Sequence, residues 1–327
     1  MLRPILTLAI MLESSSALSA QTTNSTTRLD AVSGVPEIDK TSQTEDVSFR
    51  NERDDRMTVP VHLSGEGPYR FLVDTGADRS AVSRELADKL RLKSAGGAEL
   101  HSVSGVSTVN TARVHDLAFT RTPEKSVDAA VLESANIGAD GIVGVDLLRS
   151  QRIQFDFEKH SMSIVPSRAP DFQVEPGTIV VEARRKNGRL VVSDATANGQ
   201  PLTIVLDTGS QVTIGNKALL QRLRGRALAD PAQRMELLSV TGEKIVGDYM
   251  FINELTIGGI RLANLAVVFT DAHTFKQLNL DKKPALLLGM NAIRAFKKVS
   301  IDFANRKFRV VLPEHSELAT QVAAAGL

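Results

Sequence analysis

The sequence predicts a mainly β protein of two similar lobes. Three observations carry this reading. The body of the chain repeats itself, from about Arg56 to Pro166 and again from about Ile179 to Pro313. Most of its segments read as short strands divided by Gly, Pro, Asn and Asp. Each repeat opens on a strand that runs into Asp-Thr-Gly, at Asp74-Thr75-Gly76 and at Asp207-Thr208-Gly209.

Four landmarks recur in the same order. The first is that strand. Tyr69, Phe71 and Val73 alternate with Arg70 and Leu72, whereas Leu202 to Leu206 is nearly all apolar. A turn signal precedes each, Gly65-Glu66-Gly67 in one repeat and Asn198-Gly199 in the other. The second landmark is a short helix. Ser83 is placed to cap 84–92, with Glu85 in the first turn, and Asn216 to cap 217–223, with Gly225 to end it. The third is a hairpin tip, Val103-Ser104-Gly105 against Val240-Thr241-Gly242, with Ser102 and Ser239 just before. The fourth is an apolar pair closed by Gly, Ile142-Val143-Gly144 against Leu287-Leu288-Gly289, followed by a helical stretch. Each repeat then closes on a hairpin through Phe155-Asp156-Phe157 or Ile301-Asp302-Phe303. The acids are 133 positions apart (207 − 74), the hairpin glycines 137 (242 − 105) and the later glycines 145 (289 − 144). Offsets that drift by a few residues are what surface-loop insertions leave behind. Two small helices per lobe are expected.

The domain organisation follows. Residues 1–20 have the order of a signal peptide: Arg3, an apolar run from Pro4 to Leu12 interrupted only afterwards by Glu13, then small residues. That run is too short to span a bilayer. Residues 21–50 are polar and read as a flexible linker. The N-terminal lobe is assigned to 51–167, the connection to 168–178, the C-terminal lobe to 179–313 and a tail to 314–327. The formal net charge is +1, which argues for neither nucleic acid nor an anionic membrane as partner. Cysteine is absent, which removes thiol nucleophiles, zinc ribbons and a lipoprotein anchor. Export without cysteine fits a bacterial periplasm better than a disulfide-rich secreted protein.

A single Asp-Thr-Gly is common and means little. Two copies at equivalent points of a duplicated unit bring Asp74 and Asp207 together if the lobes pack about a pseudo-twofold axis. Two carboxyls in contact cannot readily both ionise, so they share a proton. Such a pair can split a peptide bond with water, the ionised member acting as base and the protonated one as acid. This chemistry needs no metal, cofactor or covalent intermediate.

The duplicated Asp-Thr-Gly, each followed later by two apolar residues and Gly, resembles the pepsin and retropepsin group of aspartic proteases. Within it the chain is similar to bacterial exported members with two retroviral-type repeats in one chain. The resemblance covers roughly residues 56–313. It implies a bilobal β fold, a catalytic pair of Asp74 and Asp207, and cross-bracing of the loops by Thr75 and Thr208. It also implies that Gly144 and Gly289 lie in backing strands. The tips around Ser104-Gly105 and Thr241-Gly242 are then flaps over an extended peptide. The implied activity is endopeptidase cleavage of a periplasmic protein or of the periplasmic part of a membrane protein. One chain suffices for the site. A silent peptide-binding module of the same fold is the alternative, and two intact Asp-Thr-Gly loops speak against it.

The chain departs from single-chain pepsins in having two equivalent tips, neither with a Tyr. Ala77 also stands where the second repeat has Ser210. A hydroxyl there can stabilise a carboxylate, which makes Asp207 the expected ionised member. Asp78 and Arg79 read as a solvated surface pair, Asp146 and Asn291 as helix caps, and Asp156 and Asp302 as hairpin residues. Arg184-Arg185-Lys186 reads as a hairpin tip. The six histidines have no metal-ligand spacing, and His101 lies near enough to a tip to meet substrate.

Overall fold

The computed structural model describes residues 57–119, 124–223 and 233–313, with strand fragments at Ala9–Ile10, Asp46–Val47 and Arg50–Asn51. Most of the expected signal segment and of the linker, the tail and Gly225 lie outside the described residues.

Each repeat builds a sheet of the same order. In the first, Met57–Leu63 and Glu66–Val73 form a hairpin on a Ser64-Gly65 turn with both residues at positive φ. Gly141–Val143 then lies parallel to Glu66–Val73, setting Val143 beside Val73. Its other edge pairs antiparallel with Ala81–Ser83, which runs parallel to Glu124–Leu132. The long hairpin of Lys93–His101 and Val106–Ala118 completes the sheet. The second repeat matches step for step. Thr203–Leu206 lies parallel to Ala285–Leu288, which pairs with Thr213–Gly215, which runs parallel to Ile260–Phe269. Its long hairpin is Gln233–Leu238 with Lys244–Ile257. In both repeats the buried parallel pair is short and apolar, as strands covered on both faces are.

A third sheet joins the lobes. Gln151–Asp156 and Lys298–Asp302 pair antiparallel with Gln154 opposite Ser300. The register is symmetric about that pair: Arg152 faces Asp302 and Asp156 faces Lys298. The ion pair is thus made twice, at 3.4 Å for Arg152 Nη1 to Asp302 Oδ2 and 3.8 Å for Lys298 Nζ to Asp156 Oδ2. Asp156 and Asp302 also close the hairpins, accepting the N–H of Lys159 and of Asn305. Asp171, in the connection between lobes, accepts from Gln154 Nε2 at 2.7 Å and lies 3.5 Å from Arg309 Nε. Arg185 is half-fixed on this base by donating to the Phe303 carbonyl, so its hairpin is not solely solvated charge.

The core is aliphatic, with a few fully buried rings such as Phe71, Phe155, Phe296 and Phe308. Helices Arg84–Lys89 and Lys217–Leu223 begin where expected. Ser83 Oγ accepts the Leu86 N–H at 3.1 Å, and Asn216 Oδ1 accepts the Leu219 N–H at 2.8 Å. The described residues hold three short helices per lobe, not two. The extra pair, Ser134–Ile137 and His273–Gln277, has no capping side chain and is too short to show a helical period.

Arg152 is buried, and its Nη2 also donates to the carbonyls of Ala169 and Pro170. Arg152→Ala leaves the buried Asp302 without its cation and is expected to cost about 3–5 kcal/mol in chemical denaturation. A loss below about 1 kcal/mol would show that this base does not hold the lobes together.

Candidate active site

Asp74 and Asp207 both sit buried at the ends of the central parallel strands. The main chain sets them: Asp74 N–H donates to the Val143 carbonyl and Asp207 N–H to that of Leu288. Asp74 Oδ1 accepts from Gly76 N–H at 2.8 Å and Ala77 N–H at 3.0 Å. Asp207 Oδ1 accepts from Gly209 N–H at 3.1 Å and Ser210 N–H at 3.2 Å.

The threonines join the loops reciprocally. Thr75 Oγ1 donates to the Leu206 carbonyl and accepts the Thr208 N–H, both at 3.0 Å. Thr208 Oγ1 donates to the Val73 carbonyl at 2.7 Å and accepts the Thr75 N–H at 3.1 Å. The carboxyls are brought so close that each lies over the other loop's glycine. A Cβ on Gly76 would stand 2.5 Å from Asp207 Oδ1, and one on Gly209 2.2 Å from Asp74 Cγ. Neither position has room for a side chain.

Gly144 and Gly289 pack against main chain in the same way, a Cβ falling 2.6 Å from Arg79 C and 2.5 Å from Val212 C. Beside them each backing strand is braced by a side chain, an acid in one lobe and an amide in the other. Asp146 accepts from Ser80 Oγ and N–H, at 2.8 and 3.0 Å, and Ser80 Oγ accepts the Gly144 N–H. Asn291 Oδ1 accepts from Thr213 Oγ1 and N–H, both at 2.8 Å, and Thr213 Oγ1 accepts the Gly289 N–H. Asp146 and Asn291 are therefore not the caps expected for their helices. The helix N-cap positions fall on Gly144 and Gly289, and these side chains brace the backing strands instead.

The hydroxyl expected to stabilise Asp207 does not reach it. Ser210 Oγ donates to the Val212 carbonyl at 2.7 Å, so only the Ser210 main chain reaches Asp207. Burial pushes the Asp74 carboxyl up to about 6, against the pull of the Gly76 N–H and of the Arg189 guanidinium. Asp207 is raised well above the ordinary range, first by burial and then by the Asp74 charge. Both carboxyls are thus disfavoured as anions, and the pair titrates as a unit. Arg189 is the residue that sequence reasoning missed. Buried at the start of Arg189–Val192, it donates from Nε to the Gly76 carbonyl at 2.6 Å. Its Nη1 lies 3.0 Å from Asp78 Oδ1, so Asp78 pairs across the lobes and not with Arg79. Nothing local in the sequence marks this arginine, because Gly76 and Asp78 lie more than a hundred positions away.

The two hairpin tips cross. Val103 is buried among Val191, Val205 and Val212 of the second lobe, and its carbonyl accepts the His273 N–H at 2.8 Å. Val240 packs on Leu72, Ala81 and Ile142 of the first lobe, and Gly242 lies against Asn136. Within each tip a hydroxyl pair closes the turn, Ser102 with Ser104 at 2.8 Å and Ser239 with Thr241 at 2.9 Å. Gly105 takes a φ of +158° and Gly242 one of +84°. Of the six tip residues singled out from the sequence, Val240 lines the cavity over Asp74. Val103 does not face a substrate there, because it anchors its own tip in the opposite lobe. His101 Nδ1 meets His273 Nε2 at 2.9 Å, with the rings stacked.

The cavity has a volume of about 190 Å³ and lies between Asp74, the first hairpin and Val240, with Arg189, Thr274 and Gln277 at its far wall. Among the described residues no group of acids and histidines is disposed to hold a metal ion. No helix among them is long and apolar enough to cross a membrane.

Two duplicated β lobes meeting at paired carboxyls, under hairpins that cross from lobe to lobe, define a bilobal protein of retropepsin-like architecture. The chain belongs to the aspartyl protease family, whose model matches residues 59–147 and again 193–292. None of the curated proteins matches the chain.

The raised carboxyls give a stability test. A buried acid whose folded pKa lies above its unfolded value stabilises fully below about 3.8 and loses that contribution as pH rises through about 6. Asp74→Asn should therefore gain on the wild type by about 1–3 kcal/mol as pH rises from 4 to 7. A difference that stays flat with pH would contradict the raised value. A second test concerns the tip. The His273 imidazole is held below its ordinary pKa by burial, then by His101 and Lys276, while Asp78 lies on the other side of His101. The clasp is intact above about 6.5 and weakens as pH falls from there. Protection of the His273 amide against hydrogen exchange should fall by about threefold or more on acidification. His101→Gln, which offers donor and acceptor at every pH, should flatten the change; an unaltered drop would place its cause elsewhere.

Proposed function

We propose that the chain is an aspartic endopeptidase whose catalytic pair is Asp74 and Asp207. The observation that carries this is the meeting of two buried carboxyls, each over the other's loop glycine, with raised pKa values. In the monoprotonated pair the charged carboxylate takes a proton from a water molecule as that water attacks the peptide carbonyl carbon. The protonated carboxyl donates its proton to the carbonyl oxygen as the tetrahedral intermediate forms. The carboxyl protonated by the water then gives that proton to the leaving nitrogen as the C–N bond breaks, while its partner takes one from a hydroxyl of the intermediate as the product carboxyl forms, and the pair returns to one shared proton.

The substrate lies extended in the cleft as an added strand beneath the tips. Its entry requires the tips to lift, since both are seated on the opposite lobe. Residues 1–20 export the chain to a periplasm, where its substrates are proteins or the periplasmic parts of membrane proteins. Both halves of the pair come from one chain, so a monomer carries the whole site, and no nucleic acid takes part.

The test is cleavage of a diverse peptide library, read by mass spectrometry, by the chain without residues 1–20. Asp74→Asn and Asp207→Asn should each lower kcat/KM on the order of 10²–10⁴-fold. The wild-type rate should rise with pH through about 6. Cleavage that survives both substitutions would remove the dyad from the mechanism. An acid limb near the ordinary carboxyl value would remove the raised Asp74.

A further inference from the structure

The cavity over Asp74 does not end at Asp78 and Arg79. The same two residues, with Asp128, also line a wider groove of about 550 Å³ that continues past Asp146 to Arg149. The groove mixes acids and bases, but they are not equally engaged. Asp78 is paired with Arg189 at 3.0 Å. Asp128 is held by Arg113, whose Nη2 donates to Oδ2 at 3.0 Å. Asp146 accepts twice from Ser80. Arg79 and Arg149, in contrast, are exposed and have no ion-pair partner among the described residues. Asp78 and Asp128 are thus neutralised by their own arginines, and Asp146 has its oxygens turned to Ser80, which leaves Arg79 and Arg149 without an ion-pair partner among the described residues.

The duplication makes this one-sided. Arg79 stands five residues after Asp74 (79 − 74). Five residues after Asp207 (212 − 207) stands Val212, buried in the second apolar cluster. Arg149 stands five after Gly144 (149 − 144). The counterpart five after Gly289 (294 − 289) is Arg294, which is buried. An extended peptide centred on the dyad would therefore meet the exposed Arg79 on one side and have no exposed cation at the counterpart positions, Val212 and Arg294, on the other. The root of Arg79 is also rigid, because Gly144 packs directly on its carbonyl group. Nearer the dyad the cavity wall is apolar, with Leu100, Ala130, Leu132, Ile142 and Val240.

Resting on the protease reading above, we propose that Arg79 is a specificity-determining residue that binds an Asp or Glu side chain on one flank of the substrate, with Arg149 extending the preference outward. The substrate class is a peptide with an apolar residue by the scissile bond and an acidic residue at a defined distance on one side only. A guanidinium binds a carboxylate through paired hydrogen bonds, and the long arginine stem accommodates either acid.

The experiment compares the wild type, Arg79→Ala and Arg79→Glu on the peptide library, with Arg149→Ala beside them. Wild-type products should be enriched in Asp and Glu at one position on one side of the cut. Arg79→Ala should lower kcat/KM for such peptides by about three- to tenfold, mainly through KM, and leave peptides with a neutral flank unchanged. Arg79→Glu should turn the preference toward Lys and Arg at the same position. The wild-type preference should shrink as salt is raised. Cleavage with no acidic preference, or a preference that Arg79→Glu leaves intact, overturns the inference while the protease reading stands. Where nothing is cleaved, binding of fluorescent peptides with acidic and neutral flanks decides. Tighter binding of the acidic peptide, abolished in Arg79→Glu, supports the groove while the protease reading falls. Equal binding of both peptides overturns the groove as well.

Discussion

Two threonine hydroxyls set the relation between the halves of this molecule on which its site depends. Each donates to a carbonyl of the opposite lobe and accepts an N–H from it. Four hydrogen bonds of this kind contribute only about 0.5–1.5 kcal/mol each. Their effect is geometric more than energetic. They bring two carboxyls into a space where both cannot be charged, and they leave no volume for a side chain on either loop glycine. Bringing buried acids together works against stability at neutral pH. The symmetric base beneath, with its repeated ion pair across Gln154 and Ser300, supplies the compensating contact between lobes.

The lobes are interlocked at the top as well as at the base. Each hairpin tip ends in a valine seated on the other lobe, beside the short helix that precedes the backing strand. Arg189 adds a third crossing, from a strand of the second repeat to the first Asp-Thr-Gly loop. In the proposed function, a peptide reaching the pair would displace the tip contacts and pass beside Arg189.

Divergence between the repeats is concentrated just past the catalytic loops. Ala77, Asp78 and Arg79 stand opposite Ser210, Gln211 and Val212, and Asp146 stands opposite Asn291. The bracing of the backing strands survives this change, because either an acid or an amide oxygen can accept from Ser80 or Thr213. The surroundings of the two carboxyls do not stay equal. Arg189 donates to the first loop alone, at the Gly76 carbonyl, although its charge bears on both carboxyls. A site built by duplication has become asymmetric in its surroundings.

The sequence by itself determined the duplicated architecture, the family and the residues of the paired loops. Those features are written in local signals: alternation ahead of each Asp-Thr-Gly, turn residues, caps at Ser83 and Asn216, and glycines where the chain must pass close to itself. It misjudged Ser210, Asp146, Asn291 and the partner of Asp78, and it passed over Arg189 and the short helices at Ser134 and His273. Each of these depends on contacts between segments distant in the chain, or on helices too short to have a period. A hydroxyl beside an acid in sequence can still point to another carbonyl, as Ser210 does. Only the tertiary structure decided which tip sits on which lobe, where the Ser210 hydroxyl points and which acids Arg189 and Arg113 neutralise, because charge and burial are set by what folds against a residue, not by its neighbours in the chain.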